Sequence, residues 1–346
     1  MRAVQFTDHG GREVITYDTY PDPEPGPFDV LVDIKAGSLN HLDIHTRNGL
    51  PGVDLELPHI PGSDGAGEVV AVGEQVSRFE PGDRVALLAG VYCGQCEHCL
   101  NGQTSLCDRY HIIGEHVQGV HAELAVIPEK NLTPVPEDVD WAIAAAAPLV
   151  FQTAWRMLIT RAQIEPGDIV LVHGSTGGVG HAAVQIADHA GARVIATGGD
   201  DDKLDTVTGL GADEVINYNT TSFKEVIKST TDGRGVDTVV DHVGEATWDD
   251  SLKCLVKGGT LVTCGATTGG RPTTNVNRVF WNQLSILGST MATPGECEAV
   301  LNLVWEGTLE PSIRAELPMS ESVEAHRLIE EREGVGKVVV VPDSEL

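Results

Sequence analysis

Positive charge is what this sequence lacks most. Its 51 aspartate and glutamate residues face 23 lysine and arginine residues, of which eight are lysine, and the formal net charge is −28. Such a surface repels phosphate backbones and anionic headgroups, so neither nucleic acid nor a membrane is an expected partner. The acids form no block longer than three, which excludes a disordered acidic tail. Acids spread over a folded chain suit a salt-rich interior, where ions screen the self-repulsion, and a halophilic source is expected. Long apolar runs are missing too. The longest, residues 141–151, is interrupted by Pro148 and falls short of the about 20 residues that span a bilayer. Met1-Arg2 leads into Ala3-Val4-Gln5 and then polar residues, without the apolar core of a secretory signal. A soluble, cytoplasmic protein is therefore expected. What is present is an ordinary globular composition, 41% hydrophobic and 21% charged, over 346 residues. At roughly 100–200 residues per domain, that length suggests two domains.

Cysteine is sparse except in one place. Four of the seven lie in CGQCEHCLNGQTSLC, where Cys93, Cys96, Cys99 and Cys107 are spaced C-x2-C-x2-C-x7-C. A cytoplasmic chain keeps its thiols reduced, which argues against disulfides. A thioredoxin-type pair needs only one C-x-x-C beside a strand-to-helix turn. Four thiolates this close suit a tetrahedral Zn²⁺ in an all-sulfur cage. Such a cage has no open coordination position, so its metal staples a loop and performs no chemistry. Asn101-Gly102 and the lack of a strand pattern put the cluster in a surface lobe. Four free thiols in a loop is the plainer alternative. Cys254, Cys264 and Cys297 stand apart and are expected in the core.

Two rhythms divide the chain. In the first part, short apolar or alternating runs at 30–34, 68–72, 84–87 and 122–127 are punctuated by glycine and proline, the pattern of an antiparallel, barrel-like β domain. Glu-Pro-Gly-Asp occurs at 80–83 and again at 165–168, each time before a strand; Pro then Gly at the centre is type II turn chemistry. From residue 167 onward, strands at 168–173, 193–197, 215–216, 236–241, 259–264 and 285–288 alternate with helices, one of them over 203–211. That alternation predicts an α/β fold with a doubly wound parallel sheet. A helix at 297–306 and a strand at 337–341 close the chain and are expected to return to the first domain. The expected division is 1–150 with 290–346 for the β domain and 151–289 for the parallel-sheet domain.

The strand at 169–173 runs into Gly174-Ser175-Thr176-Gly177-Gly178-Val179-Gly180, where a helix begins. The dinucleotide fingerprint G-x-G-x-x-G maps onto Ser175, Gly177 and Gly180, with serine in the first place. Gly177 lets the backbone approach a pyrophosphate and Gly180 lets helix and strand pack closely. The helix N-terminus supplies N–H donors and positive potential. Ser175, Gly177, Gly178, Val179 and Gly180 are therefore the candidate phosphate-binding turn. An NAD site usually places an acid about 20 residues on, against the ribose 2′-hydroxyl. That place reads Thr197-Gly198-Gly199. Room for a 2′-phosphate favours NADP(H), with NAD(H) as the alternative, and Gly198, Lys203 and Gly265 complete the candidate cofactor set. Asp200, Asp201 and Asp202 argue the other way unless they cap the following helix.

The cysteine lobe followed by this turn is joined by Pro61-Gly62-Ser63-Asp64-Gly65-Ala66-Gly67-Glu68-Val69-Val70, Val72-Gly73, Pro81-Gly82-Asp83-Arg84-Val85 and Gly336-Lys337-Val338. Together they resemble the medium-chain dehydrogenases/reductases, which include zinc alcohol dehydrogenases and quinone reductases, over essentially the whole chain. The resemblance implies a GroES-like β-barrel-type domain, a Rossmann domain and an active site in the cleft between them. It also implies a homodimer or homotetramer joined through the region from Phe280-Trp281 to Gly288-Ser289-Thr290. Zinc alcohol dehydrogenases hold a catalytic zinc on the cysteine of Cys-x-x-Asp, the histidine of Gly-His-Glu and a third ligand ahead of the Rossmann domain. Here the first two motifs read Asn40-His41-Leu42-Asp43 and Gly62-Ser63-Asp64, and the third place falls near Leu149. All three usual ligands are missing, and asparagine at position 40 matches the quinone-reductase branch. The expected zinc is then the structural one. His41, Asp43, Asp64 and His116 form an alternative mixed-ligand metal set.

Without a metal to polarise a carbonyl, the developing oxyanion must be held by hydrogen-bond donors. That favours acceptors whose charge delocalises once hydride arrives, such as quinones and α,β-unsaturated carbonyls. The nicotinamide supplies the hydride, and the protein supplies orientation and donors. The expected function is NAD(P)H-dependent reduction of such a small molecule. Asn40 is the candidate donor, His41 or Tyr110 the candidate proton source, and Asp43 the residue that orients His41 or the backbone. The structural alternatives are Asn40 as a turn cap, His41 as an exposed loop residue and Tyr110 as packing in the lobe. Alcohol–aldehyde interconversion is the second functional expectation, and a non-catalytic dinucleotide-binding protein the third.

Overall fold

The computed structural model describes residues 1–345. The chain forms two compact units, residues 1–149 together with 293 onward, and residues 150–292.

In the first unit the period-two pattern of Asp29–Leu39 makes the central strand. Val30, Val32, Ile34 and Ala36 are buried, while Leu31, Asp33 and Lys35 between them are partly exposed. The sheet order is Ile313–Pro318, Lys337–Val341, Asp29–Leu39, Gly65–Val72, Arg84–Leu87, Leu132–Pro134, and Leu124–Pro128 pairs along the first half of Asp29–Leu39. Every pair is antiparallel except Ile313–Pro318 with Lys337–Val341. That parallel pair needs a crossover, and the helix Ser322–Glu330 provides it. The alanines of Trp141–Ala146 pack with Ala36, Ala66, Ala86, Val339 and Val341, small side chains that let the helix lie close to the sheet. The apolar run that contains them is two helices, because Pro148 opens a new one, Pro148–Trp155.

Both Glu-Pro-Gly-Asp turns form. Gly82 and Gly167 have φ of +99° and +92°, and the Asp83 and Asp168 N–H groups donate to Glu80 O and Glu165 O, each at 3.1 Å. The aspartate at the fourth place adds a second lock: its carboxylate accepts from the Glu80 N–H at 2.8 Å and from the Glu165 N–H at 2.9 Å.

The second unit is a six-stranded parallel sheet ordered Glu214–Asn217, Arg193–Gly198, Ile169–Val172, Val236–Val240, Leu255–Thr263, Ser285–Gly288. Leu171, Ile195, Val239 and Leu261 stand at its buried centre. The order reverses between Ile169–Val172 and Val236–Val240, and a crevice at the carboxyl ends of those two strands is the ligand position of such sheets. Two helices start earlier than their apolar periodicity suggests. Asp200 caps Asp201–Gly209 by accepting from the Lys203 N–H at 3.1 Å. Thr293 caps Pro294–Trp305, its N–H donating to the Glu296 carboxylate at 2.6 Å. Among the described residues, no helix is long and apolar enough to cross a membrane.

Candidate active site, cofactor turn and metal lobe

The motif Asn40-His41-Leu42-Asp43 opens the helix His41–Asn48. Asp43, fully buried, turns back on the helix start: one carboxylate oxygen accepts from the Asn40 N–H at 2.7 Å and the other from the Gly62 N–H at 3.0 Å. Asp43 therefore orients backbone, tying the helix start to the Gly62-Ser63-Asp64 loop. Burial pushes its carboxyl up to about 6, against these N–H bonds and the Lys337 charge. Asn40 is 8% exposed and its amide is held on two sides. Lys337 Nζ donates to its Oδ1 at 2.5 Å, and its Nδ2 donates to Asp64 Oδ2 at 2.9 Å. Lys337 Nζ also reaches Asp64 Oδ2 at 2.9 Å, and the Leu149 N–H donates to Asp64 Oδ1 at 2.9 Å. Burial pushes the Asp64 carboxyl up while the ammonium beside it acts in the opposite direction. An amide nitrogen carries two hydrogens, so one N–H of Asn40 remains for an acceptor.

His41, the first residue of that helix, is exposed. Tyr110 sits in the lobe hairpin, where Gly90–Val91 pairs with His111–Ile112. A Cβ on Gly90 would stand 2.1 Å from its hydroxyl. The ring thus packs against a glycine that makes room for it. Among the described residues, His41, Asp43, Asp64 and His116 do not gather as a metal-ligand group. The oxygens of Asp43 and Asp64 are engaged as described, and His116 Nδ1 lies 3.2 Å from the Ile112 N–H that donates to it. Glu115 lies close by, and burial with the Asp43 charge pushes it up to about 7.

The four cysteines do gather. The Sγ atoms of Cys93, Cys96, Cys99 and Cys107 lie within 4.8 Å of one another, close to the about 3.8 Å edge of a tetrahedron of zinc–sulfur bonds. Backbone N–H groups aim at the sulfurs: Gln95 and Cys96 at Cys93 Sγ (3.4 and 3.3 Å), Cys93 and Arg109 at Cys107 Sγ (3.3 Å each). Those of Gln95 and Cys96 pull the Cys93 thiol down to about 5, while burial pushes the Cys99 thiol up to about 12. The donor set fits zinc, with every position of a tetrahedron taken by protein. Outside the lobe, Cys254 and Cys297 are buried and Cys264 is partly so.

In the second unit the turn Gly174–Gly180 joins Ile169–Val172 to the helix Gly178–His189, with Gly177 as its cap. A Cβ on Gly180 would stand 2.1 Å from Gly174 O, so only glycine permits this approach. Ser175 is fully buried, and both its N–H (3.0 Å) and its hydroxyl (2.9 Å) donate to Thr197 O. It ties the turn to the second strand; the Gly177 N–H donates to Gly174 O at 3.0 Å, and Gly178 and Val179 open the helix, whose N-terminus is a favourable place for an anion. Gly198 ends the second strand, and Lys203 is the third residue of the next helix. Of the three aspartates between them, Asp200 is the helix cap and Asp201 accepts from Asn217 Nδ2 at 2.7 Å. Tyr218 was not singled out by the sequence: its hydroxyl lies over Gly199, 2.7 Å from where a Cβ would be. Gly265 sits against the backbone of His242.

Two family descriptions match the chain: "Alcohol dehydrogenase GroES-like domain" over residues 26–137 and "Zinc-binding dehydrogenase" over residues 178–306. A quinone oxidoreductase of Pseudomonas aeruginosa is 32% identical, covering 99% of both chains. The chain belongs to the medium-chain dehydrogenase/reductase superfamily. An acryloyl-coenzyme A reductase of Sulfurisphaera tokodaii is also 32% identical, over 96% of this chain and 98% of the relative. A crystal structure titled as an NAD-dependent alcohol dehydrogenase is 46% identical, covers 99% of both chains and superposes with a TM-score of 0.95. As a medium-chain dehydrogenase/reductase, the protein is an NAD(P)-dependent oxidoreductase acting on small molecules. Its first unit carries the GroES-like domain and its second the Rossmann sheet.

Proposed function

We propose that this enzyme reduces an α,β-unsaturated carbonyl or a quinone with NADPH, with protein donors rather than a metal at the reacting oxygen. The observation that carries the reading is the bonding of Asn40. It stands where zinc alcohol dehydrogenases have a cysteine ligand, and its amide is clamped by Lys337 and Asp64 with one N–H left over. A neutral amide so fixed suits a partial negative charge spread over a conjugated acceptor. A bound nicotinamide would supply the hydride; Asn40 would hold the acceptor's oxygen as it takes up charge, and His41 would provide the proton that completes the reduction. Asp43 is a positioning residue that fixes the helix start through Asn40 N and Gly62 N. The names of two relatives, a quinone oxidoreductase and a reductase of the unsaturated acryloyl group, support this substrate class. A preference for NADP(H) follows from the absence of an acid at Gly198 and from the hydroxyl of Tyr218 beside Gly199. Zinc on the four cysteines is a staple of the lobe.

Oxidation of alcohols is the second reading, favoured by the 46% identity to the solved alcohol dehydrogenase. Initial rates with NADPH and NADH on a quinone, an enone and an aldehyde, and with NADP⁺ and NAD⁺ on primary and secondary alcohols, separate the two. The proposal expects kcat/KM for the enone or quinone at least tenfold above that for any alcohol or aldehyde. An enzyme that turns over alcohols alone contradicts it. We also propose a homo-oligomer paired through Ser285–Gly288. This strand ends the sheet, and beside it Val276, Phe280 and Trp281 are 66%, 62% and 74% exposed.

A further inference from the structure

Glu115 is a largely buried carboxyl with no part in the chemistry proposed above. It belongs to the segment 112–121, which is fastened along residues 59–63. The Gly119 N–H donates to Ile60 O at 2.7 Å, the Val120 N–H to Gly62 O at 3.1 Å and the His121 N–H to Pro61 O at 3.0 Å. Side chains add to this: Ser63 Oγ donates to Ile113 O at 2.7 Å, and His59 Nε2 lies 3.0 Å from Gly114 O. A Cβ on Gly114 would stand 2.5 Å from the carbonyl carbon and oxygen of Gly62. The backbone just before Glu115 is therefore pressed onto the loop whose Gly62 N–H is held by Asp43.

The Glu115 side chain is 13% exposed, so it is mostly covered yet open to solvent on one side. His116 Nδ1 lies 3.5 Å from its Oε2, but that nitrogen accepts from the Ile112 N–H at 3.2 Å and donates nothing to the carboxylate. The other rings packed here bring no charge: burial lowers the pKa of His59 and drives that of His121 down to about 4. Lys337 is the one cation bonded to Asn40 among the described residues. It is 2% exposed, and its Nζ is spent on Asn40 Oδ1 and on Asp64 Oδ2, whose charge it cancels. His41 stands exposed at the helix start. What remains uncancelled beside Asn40 is Asp43 and Glu115, and both are acids. The Asp43 oxygens are met by two backbone N–H groups; Glu115 has no such donors and raises the negative potential unopposed.

An acceptor whose oxygen meets the remaining N–H of Asn40 lies within the field of these two carboxylates. A like charge brought there is repelled, and in a half-buried place the repulsion is only partly screened. Discrimination by an unpaired charge is a common way to turn away a wrong ligand. We infer that Glu115 is a specificity-determining residue that admits uncharged and cationic acceptors and turns away those carrying a carboxylate or phosphate near the reacting oxygen. This rests on the proposed reduction of an enone or quinone and names the charge class of its substrate.

Three forms of one acceptor test it: a benzoquinone with a propanoate side chain, the methyl ester of that propanoate and its choline ester. The same set built on cyclohexenone serves as the enone series. Two methylene groups separate the charge from the ring, so electrophilicity stays the same along each series. Initial rates with NADPH are measured for the full chain and for Glu115→Gln at pH 8 and pH 6, above and below the value of about 7 to which burial and Asp43 push the Glu115 carboxyl. At pH 8 kcat/KM is expected to rise from carboxylate to methyl ester to choline ester, the first step being about tenfold and lying in KM. Glu115→Gln is expected to narrow that step to about twofold by improving the carboxylate substrate, and acidification to pH 6 to narrow it in the natural protein but not in the variant. Equal kcat/KM for carboxylate and methyl ester at pH 8 overturns the inference, as does a step that Glu115→Gln leaves unchanged. Should the variant not fold, the natural protein alone decides: a step that is the same at pH 6 and pH 8 overturns the inference. An enzyme that reduces no member of either series overturns the enone and quinone reading itself; one that reduces carboxylate and ester alike overturns only the role of Glu115.

Discussion

Single residues carry the sharpest consequences. His121 is 1% exposed and wedged between two glycines, its Cδ2 lying 2.7 and 2.5 Å from where Cβ atoms of Gly37 and Gly62 would be. Neither ring nitrogen has a hydrogen-bond partner, and burial drives its pKa down to about 4. A base whose folded pKa is lowered contributes its full stability above the unfolded value of about 6.5. That contribution falls away as pH drops from 6.5 toward 4, because the unfolded chain takes up a proton the folded chain refuses. His121→Phe removes both the orphan nitrogens and the titration. The variant is expected to be more stable at pH 7 by about 1 kcal/mol, with a gap in Tm that widens as pH falls from 6.5 to 4.5. Calorimetry at four pH values checks this, and a gap that narrows with acidification contradicts it. Asn40 shows where sequence reasoning stops at this scale. Its position suggests a donor, but Lys337, which holds its carbonyl, is 297 positions away and invisible to local pattern.

At the scale of elements, the strands were the most legible part. Arg84–Leu87, Ser285–Gly288 and Lys337–Val341 begin and end where glycine, proline and alternation put them. Helix starts were less so, because apolar periodicity begins a turn inside the helix. Thr293-Pro294-Gly295-Glu296 was the missed signal, a capping box with proline at the first turn. The edge strand gives a prediction of its own. Ile286, 38% exposed, projects from a strand with a neighbour on one side only. Ile286→Lys places a charge where a second copy would pair and is expected to reduce the oligomer to monomers, read as molar mass by light scattering. An unchanged mass for this variant, or a monomeric natural protein, contradicts pairing through this edge.

For the whole molecule, charge and metal dominate. A net charge of −28 destabilises the compact state by self-repulsion, and salt shortens the Debye length from about 10 Å at 0.1 M to about 3 Å at 1 M. Thermal unfolding is therefore expected to shift upward as KCl rises from 0.1 to 2 M; a Tm that falls with salt contradicts the screening account. The two-rhythm division into an antiparallel unit and a parallel Rossmann unit was readable from the chain because periodicity and glycine placement are local. The gathering of the four cysteines and the helix start at the fingerprint turn were readable because each comes from one short stretch. The central claim is that hydride is transferred without a metal at the reacting oxygen, the zinc being held apart by four thiolates. The most direct test is metal content set against activity. The account predicts about one zinc per chain, whose removal by chelation lowers Tm while the protein that stays folded keeps its enone or quinone reduction per chain. Two zinc ions per chain, with activity lost in proportion to the second, would contradict it.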